Sequence, residues 1–193
     1  MYLFETMRIN NNRVENLRFH NERLNNSRKN LFGIKDEIDV SRLFGGIQKD
    51  ENRLRVIYSA DSIRTEITQY TPRVINSLKC IRTEQFDYSH KYLDRSILTD
   101  LSDKKADCDE IIIIINDIVT DTTISNIVFF DGVNYLTPDT PLLKGTKRRE
   151  LLEKGIIKEA RITINDIKHF AYATLINAML ELNEIVIPVN KIF

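Results

Sequence analysis

The chain has 193 residues, 42% of them hydrophobic, and 28 Lys and Arg balance 28 Asp and Glu, so the formal net charge is zero. That length suits one large domain or two small subdomains around a shared core. The charge balance excludes a strongly basic nucleic-acid binder, although local basic patches stay open. Cys80 and Cys108 are far apart and fit neither a metal-ligand pattern nor a disulfide framework, which implies a reduced, cytoplasmic setting. The opening MYLFETMRI is broken by Glu5, and no apolar run is long enough to span a bilayer, so neither a secretory leader nor a membrane partner is expected.

The first eighty or so residues mix short strands with one main helix. Residues 2–9 read as a strand, 10–12 as an asparagine turn and 14–17 as renewed extended chain. Residues 21–31 read as a helix with Leu24 and Leu31 on one face, stopped by Gly33. A weaker helix is expected over 39–43, ended by Gly45 and Gly46. Residues 53–58 and 64–70 read as paired strands, with 73–79 as a third.

The second half reads differently. Residues 87–101 have Leu93, Ile97, Leu98 and Leu101 at helical spacing. The isoleucine run 111–115 reads as a strand buried on both faces. Residues 127–130 and 133–136 form a hairpin about Asp131-Gly132, and 137–141 a rigid loop. A helix is expected over 147–154, closed by Gly155, then a strand at 162–164, a long helix over 166–182 and a last strand at 185–189. The fold class expected is mixed α/β (α+β), as a small N-terminal subdomain over 1–85 and a larger one over 86–193.

Several residues carry chemistry that pattern alone leaves open. Thr146 follows Gly145 at the start of a helix and can cap it, leaving N–H groups for an anion, but an ordinary N-cap reads the same way. Lys91 is a solvated surface lysine or, if desolvated, an amine able to form a Schiff base. Asp121, after a buried strand, is a turn residue or the partner of a buried cation, and Asn126 closes its turn. Arg23 is a helix-surface ion-pair partner or a fork-shaped phosphate clamp. His20, His90 and His169 show no ligand spacing and read as structural. No metal site is expected, and no phosphate-loop or dinucleotide fingerprint is present.

At these residues the chain resembles the class IV, fold type IV group of pyridoxal-phosphate enzymes, which holds branched-chain and D-amino-acid aminotransferases and aminodeoxychorismate lyases. The segment from Leu3 to Arg8 resembles the opening strand of the lyases. His20 to Ser27 is similar to the segment carrying a phosphate-binding arginine, which maps to Arg23. Lys91-Tyr92-Leu93-Asp94-Arg95 looks like the lyase form of the Schiff-base segment, a lysine followed by x-Leu-Asn-Arg. Val119-Thr120-Asp121 resembles a Val-Thr-Glu whose acid meets the pyridine nitrogen. Leu143 to Arg148 resembles the phosphate loop, Asn177-Ala178 a last phosphate-facing turn, and Pro188-Val189 the closing Pro-Val.

The resemblance implies pyridoxal 5'-phosphate as cofactor and Lys91 as catalytic base. Arg23, Asp121, Asn126, Thr146, Lys147, Asn177 and Ala178 are the further cofactor-binding residues, with Lys79 as a rival lysine. It implies a homodimer acting on a small amino substrate. The expected reaction is cleavage of 4-amino-4-deoxychorismate to 4-aminobenzoate and pyruvate, with branched-chain or D-amino-acid transamination as the alternative. A shortened, non-catalytic binding protein is the third reading. Three departures stand out: Asp121 is one methylene shorter than the usual glutamate, Lys147 replaces a common threonine, and the first half is short.

Overall fold

A computed structural model describes residues 1–45 and 52–193. It divides into two units, Met1–Pro72 with His90–Asp94, and Arg73–Ser89 with Arg95–Phe193. The division therefore falls at Pro72 rather than at residue 85. Lys91 belongs to the first unit, not to the C-terminal one.

In the first unit, β1 (Leu3–Asn10), β2 (Arg13–Val14), β3 (Arg53–Tyr58) and β4 (Ile63–Thr68) form a sheet in the order β2-β1-β3-β4. The paired strands at 53–58 and 64–70 are borne out, with β4 starting one residue earlier and ending two residues earlier. Helix α1 (Leu17–Phe32) begins where extended chain was expected. It stops at Gly33, whose left-handed φ of 70° lets its N–H reach Arg28 O and Lys29 O. Alternation sends Leu3, Met7 and Ile9 of β1 and Leu54, Val56 and Tyr58 of β3 into one core with Leu24 of α1. The expected helix at 39–43 is a single 3₁₀ turn, Val40–Arg42, and Gly46 lies outside the described residues.

The edge of β1 not taken by β3 pairs with β2 at one end and with the segment around Lys91 at the other. Phe4 donates its N–H to Lys91 O at 3.0 Å, Leu93 donates to Tyr2 O at 2.9 Å, and Leu3 bridges Tyr92. Lys91 thus lies in extended chain beside an isolated bridge at the edge of β1. The helix expected from residue 87 begins only at Ser96, as α2 (Ser96–Ser102).

The second unit holds two sheets. β5 (Leu78–Thr83) runs parallel to β6 (Glu110–Ile115), which turns into β7 (Ile118–Val119). β6 is buried throughout, as its isoleucine run predicts. Ile112 and Ile114 enter the main core with Leu78, Val119 and Phe129. Ile111, Ile113 and Ile115 pack with Leu98 and Leu101 of α2. The larger sheet has the order β10-β9-β8-β11-β12. Its strands are β8 (Asn126–Phe130), β9 (Tyr135–Pro138), β10 (Ile157–Ala160), β11 (Tyr172–Ile176) and β12 (Val186–Pro188).

Helix α3 (Thr146–Glu153) is capped by Gly145, not by Thr146, and Gly155 closes the turn after it with φ 67°. The long helix expected over 166–182 is absent. In its place are a 3₁₀ turn, Ile167–His169, then β11, which pairs with both β8 and β12. The short strand expected at 162–164 is a single bridge between Thr163 and Ile118.

Candidate active site

The candidate residues fall in both units, and each group is built by its own unit. In the first, Lys91 Nζ lies 4.6 Å from the centre of the Phe4 ring, and the Arg55 guanidinium carbon lies 5.0 Å from that same ring. Phe4, Thr6 and Arg8 face away from the α1 core, opposite Ile57, Arg55 and Arg53 of β3. Ile57, Arg55 and Arg53 in turn oppose Arg64, Glu66 and Thr68 of β4. Among the described residues, this sheet face therefore gathers Arg8, Arg53, Arg55, Arg64 and the Lys91 ammonium with the acid Glu66. Glu66 makes only loose pairs with Arg55 and Arg64, at 3.6 and 3.9 Å.

The other face of β1 carries Glu5, which is fully buried. Arg23 grips it with its fork: Nε donates to Oε1 at 2.8 Å and Nη2 to Oε2 at 2.6 Å. His20 Nδ1 lies 2.7 Å from Oε2. Burial alone would raise the Glu5 carboxyl, but the Arg23 charge and the His20 and Arg23 bonds win and hold it down at about 2. Burial pushes the His20 imidazole below its ordinary value despite Glu5, so the neutral ring donates through Nδ1–H. The forked edge of Arg23 is thus taken by Glu5 and is not presented to a phosphate. Nor is this a helix-surface ion pair. His20 is structural, as expected, and so is His90, whose Nδ1 lies 3.0 Å from Ser27 Oγ.

In the second unit, Asp121 is buried at 5% exposure and held from both sides. Asn126 Nδ2 donates to Oδ1 at 2.7 Å and the Leu143 N–H to Oδ2 at 3.0 Å. Burial pushes its carboxyl up to about 6; Leu143, Asn126 and the Arg148 charge pull the other way and lose. A cation brought against Asp121 would favour its ionised form. Asn126 Nδ2 also donates to Leu143 O at 2.9 Å, so Asn126 supports Asp121 and the loop before α3. That loop must be glycine at 145: a Cβ there would stand 2.0 Å from Asn126 Oδ1.

Thr146 and Lys147 open α3, whose cap supplies no side-chain hydrogen bond. Its first-turn N–H groups lack intrahelical partners, as in any helix, and they favour an anion. The Lys147 side chain does not reach toward that end as a free cation. It is buried, with Nζ 2.8 Å from Glu150 Oε2 and 2.8 Å from Glu181 Oε1. Asn177 closes the 177–180 turn by exchanging backbone bonds with Leu180. Its side chain donates to Ile124 O at 3.2 Å and Ser125 Oγ at 2.9 Å, and Ala178 sits half-buried in that turn. The rival Lys79 lies in β5 opposite Ile111.

A Gly145 position that a Cβ would fill, a helix start beside it and a buried carboxylate fit a phosphate-bearing aromatic cation. The family model described as amino-transferase class IV matches residues 40–192. The chain belongs to the class IV aminotransferase family. Members of the family depend on pyridoxal phosphate, so this chain is a pyridoxal-phosphate-dependent enzyme by class. An uncharacterized protein from Haemophilus influenzae is 37% identical over 183 residues, covering 92% of this chain and 97% of the relative.

Among solved structures, a candidate 4-amino-4-deoxychorismate lyase from Haemophilus somnus is 31% identical, with TM-score 0.87, over 94% of this chain and 97% of that one. A hypothetical aminotransferase from Mycobacterium tuberculosis in its PLP-bound form is 19% identical, with TM-score 0.78, over 99% and 81% of the two chains. The 4-amino-4-deoxychorismate lyase of Pseudomonas aeruginosa is 18% identical, with TM-score 0.66, over 97% and 85%. These last two show the class IV fold alone. No helix among the described residues is long and apolar enough to cross a membrane, and no group of His, Cys, Asp and Glu among them could hold a metal ion.

Sequence reasoning missed Phe4, Arg55 and Glu181. Period-two alternation in β1 and β3 could have placed Phe4 and Arg55 on one face with Arg8 and Arg53. Nothing in the sequence pairs Glu181 with Lys147.

Proposed function

We propose that this enzyme is a lyase that cleaves 4-amino-4-deoxychorismate to 4-aminobenzoate and pyruvate. The observation that carries this reading is the Phe4 ring shared by the Lys91 ammonium and the Arg55 guanidinium, on a sheet face with Arg8, Arg53 and Arg64. That face suits a substrate bearing two carboxylates, which arginine forks bind in pairs. A branched-chain substrate would bring a single carboxylate and an apolar tail, which this face serves less well.

In this reading Lys91 would hold the pyridoxal-phosphate aldehyde and Asp121 would partner the ring nitrogen. The start of α3 and the 177–180 turn would take the phosphate. When bound, pyridoxal phosphate supplies an electron sink for charge developing beside the substrate nitrogen. Lys91 Nζ takes the proton from the ring carbon bearing that nitrogen. The enol ether C–O bond then breaks, the ring becomes aromatic, and the departing enol gains a proton to become pyruvate, with no net redox change. An anionic Asp121 would stabilise positive charge on the ring nitrogen. Arg55 orients a substrate carboxylate, and Asn126 keeps Asp121 in place. The cytoplasm, a homodimer and the folate route are the setting this reading entails.

The test begins with pyridoxal phosphate added to purified protein. A visible absorbance band is expected in wild type and in Lys79→Ala, and its loss in Lys91→Ala. With 4-amino-4-deoxychorismate, 4-aminobenzoate and pyruvate should appear in equal amounts. A wild type without the band would overturn the enzyme reading in favour of a non-catalytic binding protein. Keto acid from branched-chain or D-amino acids, without 4-aminobenzoate, would replace the lyase with a transaminase.

A further inference from the structure

Two backbone turns flank the pair Ser125-Asn126 in the second unit. On one side Asn126 pins Leu143, and Gly145 packs against the Asn126 amide. On the other, the Asn177 side chain binds Ile124 O and Ser125 Oγ. A third link joins the two turns directly: Lys147, in the first turn of α3, reaches Glu181, just past the 177–180 turn, at 2.8 Å. Lys147 is held at its other side by Glu150, also at 2.8 Å, and Glu150 is engaged by Lys154. The Lys147 side chain is only 6% exposed, whereas that of Glu181 is 46% exposed.

We propose that Lys147 is a positioning residue whose ion pair with Glu181 latches the start of α3 to the 177–180 turn and fixes the spacing of one phosphate cradle. This rests on the pyridoxal-phosphate reading above. A threonine hydroxyl at this position could bind an anion itself, whereas the Lys147 ammonium is committed to two carboxylates. It therefore acts on the phosphate through the backbone it holds, not by direct contact. Burial opposes the charge on Lys147, but Glu150 and Glu181 outweigh it and raise its pKa, so the latch stays charged at neutral pH.

The experiment measures dissociation constants of pyridoxal phosphate and of pyridoxal, which lacks the phosphate, for wild type, Lys147→Arg, Lys147→Met and Glu181→Gln. Glu181→Gln changes a half-exposed residue and leaves Lys147 paired with Glu150, so it tests the latch even if Lys147→Met fails to fold. The expected result is roughly 10-fold weaker binding of pyridoxal phosphate in Glu181→Gln, the scale on which outer partners of a bound group act. Lys147→Arg should stay near wild type, and pyridoxal binding should be unchanged throughout. Wild-type affinity for pyridoxal phosphate in Glu181→Gln overturns the latch, as does an equal loss for pyridoxal. A wild type that binds neither compound defeats the cofactor reading itself and is distinguished by that.

Discussion

Asn126 holds Asp121 by one short bond, Nδ2 to Oδ1 at 2.7 Å, in a pocket where the carboxyl is pushed up to about 6 by burial. The folded chain therefore keeps the Asp121 proton more tightly than the unfolded chain does. That contribution to stability is fully present below about pH 4 and is lost as pH rises through about 6. The swing is roughly 3 kcal/mol at most. Cofactor-free wild type should lose stability over that window in denaturant titrations, and Asp121→Asn should flatten the loss. Asn126→Ala removes a donor to the ionised form, so it should move the transition to higher pH. A pH profile identical in wild type and Asp121→Asn would contradict this account.

Glu5 titrates in the opposite sense. Its carboxyl is held near 2, below its ordinary value, so its contribution is present above about pH 4.5 and is lost as pH falls through about 2. Glu5→Gln should destabilise the first unit by about 3 kcal/mol, because the Arg23 fork is left beside a neutral amide. Urea unfolding at pH 7 checks the magnitude. The deficit against wild type should shrink as the pH approaches 2.

Thr123 is the main side-chain support of another buried acid. Its Oγ1 lies 2.9 and 2.8 Å from the two oxygens of Glu110, which is 2% exposed, and the Ile111 N–H adds a bond at 2.9 Å. Arg95 Nη2 donates to Thr123 O at 2.5 Å, which holds the backbone of the same loop within the second unit. Thr123→Val keeps the shape and removes the hydroxyl. It should cost about 1–3 kcal/mol, the penalty of an unsatisfied buried group. Thr123→Ser should restore most of it in the same thermal melts.

What the sequence disclosed and what it hid divide on physical lines. The isoleucine run of β6 was legible because only a strand buried on both faces uses such a run. The stop at Gly33 was legible because a left-handed cap favours glycine. Residues 172–176 misled because both faces of β11 are buried, Ala173 and Leu175 in the main core and Ile176 against Leu151 and Ile157, and a short buried run does not distinguish a strand from a helix. Lys91 misled because its edge pairing is set by Leu3, far away in the chain, against local helical spacing. At the candidate site, local motifs picked out Lys91, Asp121 and Asn126. They could not show that the fork of Arg23 is spent on Glu5, or that Lys147 is spent on Glu150 and Glu181. Those partners are brought near only by folding.

Gly145 offers the most direct probe of the loop before α3. A Cβ at this position would lie 2.0 Å from Asn126 Oδ1 and 3.2 Å from Asn126 Cγ. The first distance is far inside any real contact, so the Asn126 amide must move. It cannot move without stretching its bonds to Asp121 and to Leu143 O. Gly145→Ala should therefore cost about 1–3 kcal/mol of stability, as overpacking does. It should also weaken pyridoxal-phosphate binding, because Asp121 and the start of α3 shift together. The double variant Gly145→Ala with Asn126→Ala relieves the clash. It should recover stability relative to Gly145→Ala alone, without recovering the support of Asp121. A thermodynamic cycle over the four proteins reads this directly: a coupling near zero would mean that Asn126 is not what requires glycine at 145.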